Sequence, residues 1–320
     1  MYSVRLAKEN DIPALIDFFK KVYKPGHIMS EKEYLKWQFP GYSNLLLEKN
    51  SEIVGHLGLI GYKFRVRGRL FNAAFLGCLI VFEDLRSRGA GVLLVREAEK
   101  YFDILYTTGF SPPSAPVFKF CGWSEEALMT RWVRDLKENR GFAEDSDIAA
   151  IDKFGPEWDK AWETLSHDYA ATVDRSAAYL NWRFIDNPKI KYQIFGGLEG
   201  YIILRIEKGE ELTACRIVDL IGGPEAAARL VKKAVNFAKD AKADFIDFFS
   251  FPSRYGEAFQ EAGFHAANRK VSTDPPIFIL PVDRKRLTLN FTYKHVDRPD
   301  QEPPMDWFVV KADGDRDRAY

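Results

Sequence analysis

The sequence predicts an α/β (α+β) protein of two tandem domains, each a mixed, mostly antiparallel twisted sheet flanked by helices. Three observations support this fold class: the chain has 320 residues, which is about two ordinary domains; strand-like and helix-like hydrophobic periods alternate along it; and a Tyr-Leu-x-Trp-x-Phe segment occurs twice. The copies begin at Tyr34 and Tyr179, so the offset is 145 residues. We therefore expect domains at 1–145 and 146–320. Chance similarity of two short aromatic helices is the alternative.

Hydrophobic spacing places the elements of the first half. A short strand-like segment opens the chain, and apolar residues at helical spacing, among them Ile12, Leu15 and Phe19, follow a polar capping segment. In chain order we predict a strand at 2–6, a helix at 12–23, the aromatic helix at 33–40, strands at 44–48, 53–62 and 75–82, a helix at 92–101 and a strand at 103–107.

The second half repeats this order. We predict the second aromatic helix at 178–184, strands at 192–196 and 201–206, a helix at 226–238, a proline-rich connector at 297–304 and a closing strand at 306–311. Asp313, Asp315 and Asp317 follow in a charged tail. Their spacing is that of the beginning of a calcium loop, but the distal glutamate is missing, so we expect a solvated tail and no metal site.

Composition excludes several classes of partner. The 46 basic residues balance 46 acidic ones, so no net field recruits nucleic acid or a membrane surface. Cys78, Cys121 and Cys215 are isolated and lack metal-ligand spacing, which indicates buried free thiols in a reducing compartment. No stretch approaches about 18 consecutive apolar residues, and no basic-then-apolar leader is present. We therefore expect a cytoplasmic protein that binds small molecules, and the oligomeric state stays open.

The most informative segment is the turn after the fourth predicted strand. Gly89 and Gly91 allow positive φ and remove Cβ atoms that keep ligands away from the backbone. Together with Ala90 they lead into a helix, whose first turn has free N–H groups that bind anions. Arg86 and Arg88 add positive charge beside these donors. The combination suits a pyrophosphate better than a carboxylate.

This Arg-x-x-Gly-x-Gly spacing, with a strand before it and a helix after it, resembles the acyl-CoA pyrophosphate signature of the GNAT superfamily of N-acyltransferases. The strand and helix that open the chain also resemble a GNAT start. The resemblance implies acetyl-CoA as the cosubstrate, with backbone amides near Ile80 and Val81 pairing with the pantetheine arm and polarising the thioester carbonyl. It further implies direct attack of a primary amine on the thioester, without a covalent enzyme intermediate, and we expect no metal cofactor.

Two residues are candidate catalytic groups. Glu83 directly follows the fourth strand and is the first candidate for the general base; the alternative is that it only organises Arg86. His56 lies in the strand at 53–62 and is the second candidate, with a packed or solvated imidazole as the alternative. GNAT enzymes often carry a tyrosine as the acid for the departing thiolate. Here that position is Phe118, which cannot donate a proton.

The acceptor-binding candidates come from a basic run and from the repeated aromatics. Arg65 lies in an alternating basic run on one face of a hairpin, where it contacts an acidic acceptor, contacts the 3′-phosphate of CoA or is simply solvated. Tyr34, Trp37 and Trp182 either stack on a sugar or base or only anchor the core. The basic run, and a loose likeness of the last residues to tandem GNAT proteins of polysaccharide pathways, point to an amino sugar or nucleotide-linked amino sugar as acceptor.

The second half lacks the phosphate turn. Gly222 and Gly223 are followed by Pro224, which has no N–H, and by Glu225, which repels phosphate. We expect this half to have lost CoA binding and to wall the acceptor cleft. Two other functions remain open: a FemAB-like aminoacyl transferase, which the neutral charge balance disfavours, and a non-catalytic CoA-binding or scaffold protein, which Phe118 keeps open.

Overall fold

The computed structural model describes residues 2–137, 141–267, 274–286, 288–296 and 307–317. The predicted connector at 297–304 lies outside them. The strands are β1 (Tyr2–Leu6), β2 (Asn44–Lys49), β3 (Glu52–Val66), β4 (Arg69–Val81), β5 (Ile104–Thr108), β6 (Ala127–Leu128), β7 (Thr130–Asp135), β8 (Ala149–Ala150), β9 (Ala171–Val173), β10 (Gln193–Gly197), β11 (Gly200–Lys208), β12 (Thr213–Gly222), β13 (Phe245–Phe251), β14 (His265–Ala266), β15 (Phe278–Ile279), β16 (Val282–Asp283), β17 (Asn290–His295) and β18 (Trp307–Val310). The helices are α1 (Ile12–Val22), α2 (Lys32–Gln38), α3 (Ala90–Ala98), α4 (Ala115–Phe120), α5 (Pro156–Leu165), α6 (Ala177–Leu180), α7 (Pro224–Asp240) and α8 (Gly256–Glu261).

The N-terminal half is built on a sheet of β1 to β5, in the order β1-β2-β3-β4-β5. Its neighbours are antiparallel, except that β4 and β5 are parallel and joined by α3. On one face Leu15 of α1 belongs to the same core cluster as Phe75 of β4, and on the other face Leu94 of α3 belongs to the cluster of Leu76. Because successive side chains of a strand point to opposite faces, β4 supplies both cores.

The C-terminal half has the same strand order. β10, β11 and β12 are antiparallel neighbours, and β13 is parallel to β12 after the crossover helix α7. Pro224 stands in the first turn of α7, where its missing N–H costs no hydrogen bond. The apolar side of this helix, including Leu230, Val231 and Val235, is buried. The mixed, mostly antiparallel sheet flanked by helices agrees with the predicted fold class.

The two halves exchange strands. β7 follows α4 in the N-terminal half, yet it pairs with β13 of the C-terminal half. In return β17, from near the end of the chain, pairs with β5. β9 and β18 lie between the two sheets and join them, because β9 pairs with β3 and β18 pairs with both β9 and β13. The domain boundary near residue 145 stays a prediction, with each half completed by a strand of the other.

The C-terminal segment is buried, so the prediction of a solvated tail is wrong. Asp313, Asp315 and Asp317 are only 2%, 3% and 1% exposed. Charged groups tolerate such burial when opposite charges and hydrogen bonds surround them. Arg175 holds Asp313 at 3.0 Å, and Arg205 holds Asp317 at 2.6 Å. Both partners lie more than 100 residues upstream, where sequence inspection does not connect them to the tail.

Within the described ranges no helix is both long enough and apolar enough to cross a membrane. The same ranges contain no group of three or more His, Cys, Asp or Glu side chains placed to hold a metal ion.

Candidate functional site

The glycine turn forms an open concavity at the start of α3. A 3₁₀ segment, Glu83–Arg88, follows β4 and ends at Gly89, whose φ of 74° lies in the left-handed region that favours glycine. Apart from the chain neighbours and the helix backbone, no atom of the described residues lies within 4 Å of the position a Cβ would take on Gly89. Leu93 already donates its N–H to the Gly89 carbonyl, so Ala90 and Gly91 belong to the first turn, whose N–H groups have no intrahelical acceptor. Backbone donors and the positive end of the helix dipole therefore meet at an open surface.

The two arginines of this turn remain available to a ligand. Arg88 is exposed, and the Arg86 side chain is 60% exposed. Arg86 has two weak contacts, with Glu83 at 3.9 Å and, through Nε, with the Val81 carbonyl at 3.4 Å. An exposed ion pair of this length contributes little to stability. The guanidinium groups can therefore turn toward a phosphate without breaking a strong interaction.

A cavity runs from this turn along the end of β4. β4 and β5 pair only as far as Phe75 and Tyr106, and beyond that point the two strands diverge. The cavity has a volume of about 500 Å³ and lies between the end of α1 and the beginnings of α3 and α4. Its lining includes Ile80, Val81, Gly91 and Val117. It therefore offers an extended ligand arm a path from the glycine turn to the diverging strands, with Ile80 and Val81 beside it.

A β-bulge stands where β4 leaves β5. His56 of β3 is opposite Ile80, but Gly58 is opposite Gly77, so β4 carries one residue more than β3 in this interval. Cys78 has a φ of 51°, a left-handed conformation that a non-glycine residue seldom adopts. It is half-buried and not fully buried as predicted, whereas Cys121 and Cys215 are buried free thiols. The bulge redirects the backbone at the point where the strands open.

His56 holds this bulge in place. Its Nδ1 lies 3.0 Å from the Cys78 carbonyl oxygen and its Nε2 lies 2.7 Å from Oδ1 of Asn44. Burial lowers the pKa of His56 to about 4, so the imidazole is neutral near pH 7 and carries one N–H, which one of these two oxygens accepts. Both ring nitrogens are occupied and the side chain is fully buried. This placement favours the packed alternative, with His56 as a positioning residue.

The other catalytic candidates lie apart from one another. The Glu83 side chain is 90% exposed at the mouth of the cavity, with Arg86 as an ion-pair partner. Phe118 is buried against Phe110 and Trp123, so no hydroxyl occupies its position. Tyr106 donates its hydroxyl to the carbonyl of Asp313, away from the cavity. Glu83 therefore lies at the mouth of the cavity but is open to solvent.

The predicted acceptor-binding residues join the two halves. Tyr34 is buried, and Trp37 and Trp182 donate their indole N–H groups to each other's backbone carbonyls. Arg65 is only 6% exposed, and its guanidinium pairs with Asp174 at 3.0 Å. These side chains are engaged within the protein, and none of them lines the cavity beside β4.

The corresponding opening in the C-terminal half is filled by the chain itself. β12 and β13 pair as far as Ile217 and Phe248 and then diverge. Beyond that point Ser250 and Phe251 of β13 pair with β18. A second cavity, of about 740 Å³, lies at the start of α7, and its lining includes three glutamates, among them Glu225. Neither feature favours an anionic ligand with an extended arm in this half.

Sequence reasoning missed the C-terminal residues that lie beside the diverging ends of β4 and β5. Oδ2 of Asp315 lies 3.6 Å from the Cys78 sulfur, and a Cβ on Gly77 would lie 3.1 Å from that oxygen. Nε of Arg316 donates to the Thr108 carbonyl at 3.1 Å. One sequence signal could have indicated that this segment is ordered. Aspartates occur at every second position shortly after an apolar strand, which is the side-chain period of a strand.

Comparison with known proteins agrees with this geometry. Residues 12–123 match the Acetyltransferase (GNAT) family. The structure is similar to that of a GCN5-related N-acetyltransferase from Anabaena variabilis, with 14% identity, a TM-score of 0.65, and coverage of 92% of this chain and 73% of that one. It is also similar to a GCN5-related N-acetyltransferase from Kribbella flavida, with 13% identity, a TM-score of 0.61, and coverage of 93% and 73%. A search of curated protein sequences gives no match. The chain therefore has the GNAT fold, and its N-terminal part is a GNAT acetyltransferase domain.

Proposed function

We propose that this chain, whose residues 12–123 form a GNAT acetyltransferase domain, is an acetyl-CoA-dependent N-acetyltransferase that acts on a primary amine. The observation that carries the proposal is the continuity of the open turn at Gly89 with the cavity beside the diverging strands β4 and β5. A pyrophosphate and an extended thioester arm need these two features in this order. In the described part of the C-terminal half, β18 instead occupies the corresponding opening beside β13.

The donor would be held mainly by backbone groups. The N–H groups of Ala90 and Gly91 and the guanidinium groups of Arg86 and Arg88 would bind the pyrophosphate. The pantetheine arm would follow the edge of β4 past Val81 and Ile80, because pairing with β5 ends at Phe75 and no other strand among the described residues takes its place. These are the residues that the sequence predicts to bind the donor.

The reaction would be direct transfer between donor and amine. The neutral amine nitrogen attacks the thioester carbonyl carbon, and the negative charge that develops on the carbonyl oxygen is stabilised by N–H groups at the edge of β4. Collapse of the tetrahedral intermediate breaks the C–S bond and releases the CoA thiolate. Because Phe118 is buried and carries no hydroxyl, the thiolate leaves without a proton from that position.

The acceptor and the role of the second half belong to the same proposal. We infer that the two halves descend from one duplicated α/β unit, since the strand order and the paired tryptophans recur in both. The second half would then shape the acceptor side. An amino sugar, free or nucleotide-linked, stays the first acceptor class to test, although Arg65 itself pairs with Asp174 and does not line the cavity.

Calorimetry with acetyl-CoA tests donor binding. Gly89→Glu places a carboxylate in the phosphate concavity, and we expect it to abolish binding. Gly68→Glu is a matched control, because Gly68 also has a positive φ, of 77°, and open surroundings, but lies in the distant β3–β4 turn. Equal affinities of wild type and Gly89→Glu would contradict the proposed donor site.

Thiol release with a panel of amines tests turnover. The panel contains free amino sugars, nucleotide-linked amino sugars and polyamines. We expect release that depends on both acetyl-CoA and at least one amine. Tight acetyl-CoA binding without release by any amine would favour the non-catalytic CoA-binding protein instead.

A further inference from the structure

We propose that Asp315, in the C-terminal segment, binds the acceptor amine and removes its proton, and that Thr108 of β5 shares in holding the amine nitrogen. This proposal rests on the acetyltransferase function proposed above. It assigns a catalytic role to a residue more than 200 positions from the glycine turn in sequence.

The C-terminal segment crosses the open end of the N-terminal sheet. After β18 the chain forms a 3₁₀ turn, Lys311–Asp313, and then passes over β4 and β5. Oδ2 of Asp315 is 3.6 Å from Sγ of Cys78, the residue of the β4 bulge. The next residue, Arg316, packs on Gly109 and donates to the Thr108 carbonyl. The segment therefore lies beside the bulge from which the thioester carbonyl would be held.

Asp315 approaches the bulge from the face of the sheet opposite Leu105 of β5. Leu105 packs in the same core cluster as Leu94 of α3. Tyr106, the next residue, belongs to the cluster of the other face and donates its hydroxyl to the carbonyl of Asp313. An amine that enters from this second face would meet the carbonyl carbon and the Asp315 carboxylate together.

The three tail aspartates have different surroundings. Asp313 is held by Arg175, which also pairs with Asp219, and burial raises the pKa of Asp313 to about 6. Asp317 accepts a hydrogen bond from Tyr192 and pairs with Arg205. Asp315 lies at the bulge, where Arg316 is an ion-pair partner at 3.3 Å and the Cys78 thiol is a hydrogen-bond donor. Asp313 and Asp317 thus anchor the segment in the C-terminal half, and Asp315 lies beside β4 of the N-terminal half.

Thr108 provides an independent observation at the same place. Its side-chain oxygen is buried and has no hydrogen-bond partner within the described part of the chain. Thr108 is two residues after Tyr106 in β5, so its side chain points to the same face as Tyr106, the face that the C-terminal segment covers. A buried hydroxyl without a partner is costly and uncommon in a folded protein. A ligand with an N–H group at this position would satisfy it.

The chemistry balances with these groups. The acceptor enters as an ammonium ion, which the Asp315 carboxylate attracts, and one proton passes from nitrogen to carboxylate. The freed lone pair forms the C–N bond, and the C–S bond then breaks as the tetrahedral intermediate collapses, so that the sulfur leaves with the electron pair. The second proton lost from nitrogen and the proton held by Asp315 pass to solvent and to the thiolate, giving the amide and CoA. The expected substrate class is an amine that is cationic in solution.

Asp315→Asn tests the carboxylate. We expect kcat/KM for an alkylamine to fall by about 10² to 10⁴-fold, the usual contribution of a positioned base, with acetyl-CoA affinity unchanged. For amines that are already neutral at the assay pH, such as hydroxylamine, kcat/KM should fall much less, because these amines need no deprotonation before attack. Asp317→Asn makes the same chemical change in an anchoring residue and should affect both amine classes equally.

Thr108→Val tests the hydroxyl. Removing a partnerless oxygen should leave the unfolding free energy unchanged or raised, while KM for the amine rises several-fold and kcat changes less. A merely structural threonine would instead lower stability and leave KM alone.

The outcomes separate this proposal from the function on which it rests. If the wild-type chain releases no thiol with any amine, both fail. Suppose that wild type is active and that Asp315→Asn keeps its kcat/KM, gains activity, or loses activity equally with cationic and neutral amines. In each case the proposed role of Asp315 is wrong and the acetyltransferase function stands. Selective loss with cationic amines supports the role of Asp315.

Discussion

The indole N–H of Trp37 donates to the backbone carbonyl of Trp182 at 2.8 Å, and the indole N–H of Trp182 donates back to the carbonyl of Trp37 at 3.1 Å. The ring centroids are 5.7 Å apart. Each half therefore offers the same donor and the same acceptor to the other, which is the geometry of a self-complementary interface. The aromatic residues of the repeated segment thus hold the halves together.

Removal of either indole donor should weaken this junction. We expect Trp37→Phe and Trp182→Phe each to lower the free energy of unfolding by about 1–3 kcal/mol, because a carbonyl loses its donor and contact area is lost. The double variant should lower the free energy of unfolding by less than the sum of the two single variants, since each single change removes part of the same contact. Urea unfolding measures all three. Strict additivity would show that the two hydrogen bonds act independently.

The neutral state of His56 should make stability depend on pH. Burial lowers its pKa from 6.5 to about 4, so between these values the unfolded chain binds more protons. The stabilisation is complete above about pH 6.5 and is lost as pH falls toward 4, by about 3 kcal/mol in all. The raised pKa of Asp313, about 6, acts in the opposite direction over the same range, so each variant is compared with wild type at every pH.

His56→Gln should flatten this dependence, whereas His167→Gln, which changes an exposed histidine, should leave it as in wild type. Urea midpoints at pH 5 and pH 7 provide the measurement. Parallel profiles for wild type and His56→Gln would mean that His56 titrates normally in the folded chain.

Replacement of Arg65 separates its structural role from acceptor binding. Arg65 pairs with Asp174, whose carboxylate also accepts the indole N–H of Trp162. We expect Arg65→Met to cost about 3 kcal/mol of unfolding free energy by leaving this carboxylate without its cation, and to leave the acceptor KM within about twofold of wild type. Arg69→Met, at an exposed position of the same hairpin, should change neither quantity. A raised KM at unchanged stability would support the acceptor contact predicted from sequence.

Gly77 should control the position of Asp315. An added Cβ would lie 3.1 Å from Oδ2 of Asp315 and 3.1 Å from the ring of Phe75. We expect Gly77→Ala to cost about 1–2 kcal/mol through overpacking and to lower kcat/KM about tenfold, equivalent to about 1.4 kcal/mol of transition-state stabilisation. Gly197→Ala is the control, because nothing lies within 4 Å of its Cβ position. Full activity of Gly77→Ala with unchanged stability would show that the segment moves freely.

Local features of this protein were predictable because their causes are local. The first strand was expected at 2–6 and is β1, and the helix expected at 12–23 is α1, because hydrophobic spacing and capping act within a few residues. The strand before the glycine turn was also expected, although β4 begins earlier, at Arg69. The left-handed turn at Gly89 followed from the need for a glycine at positive φ.

The sequence by itself determined the GNAT fold class and the glycine turn, since periodicity, turn chemistry and a short motif are carried by neighbouring residues. Only the tertiary structure decided which distant strands and charged residues pair with each other. The exchange of β7 and β17 depends on hydrogen bonds between strands more than 100 residues apart. The burial of the tail depends on ion pairs such as Asp313 with Arg175. An isolated aspartate belongs in water, and only a distant arginine brought within 3.0 Å makes its burial favourable.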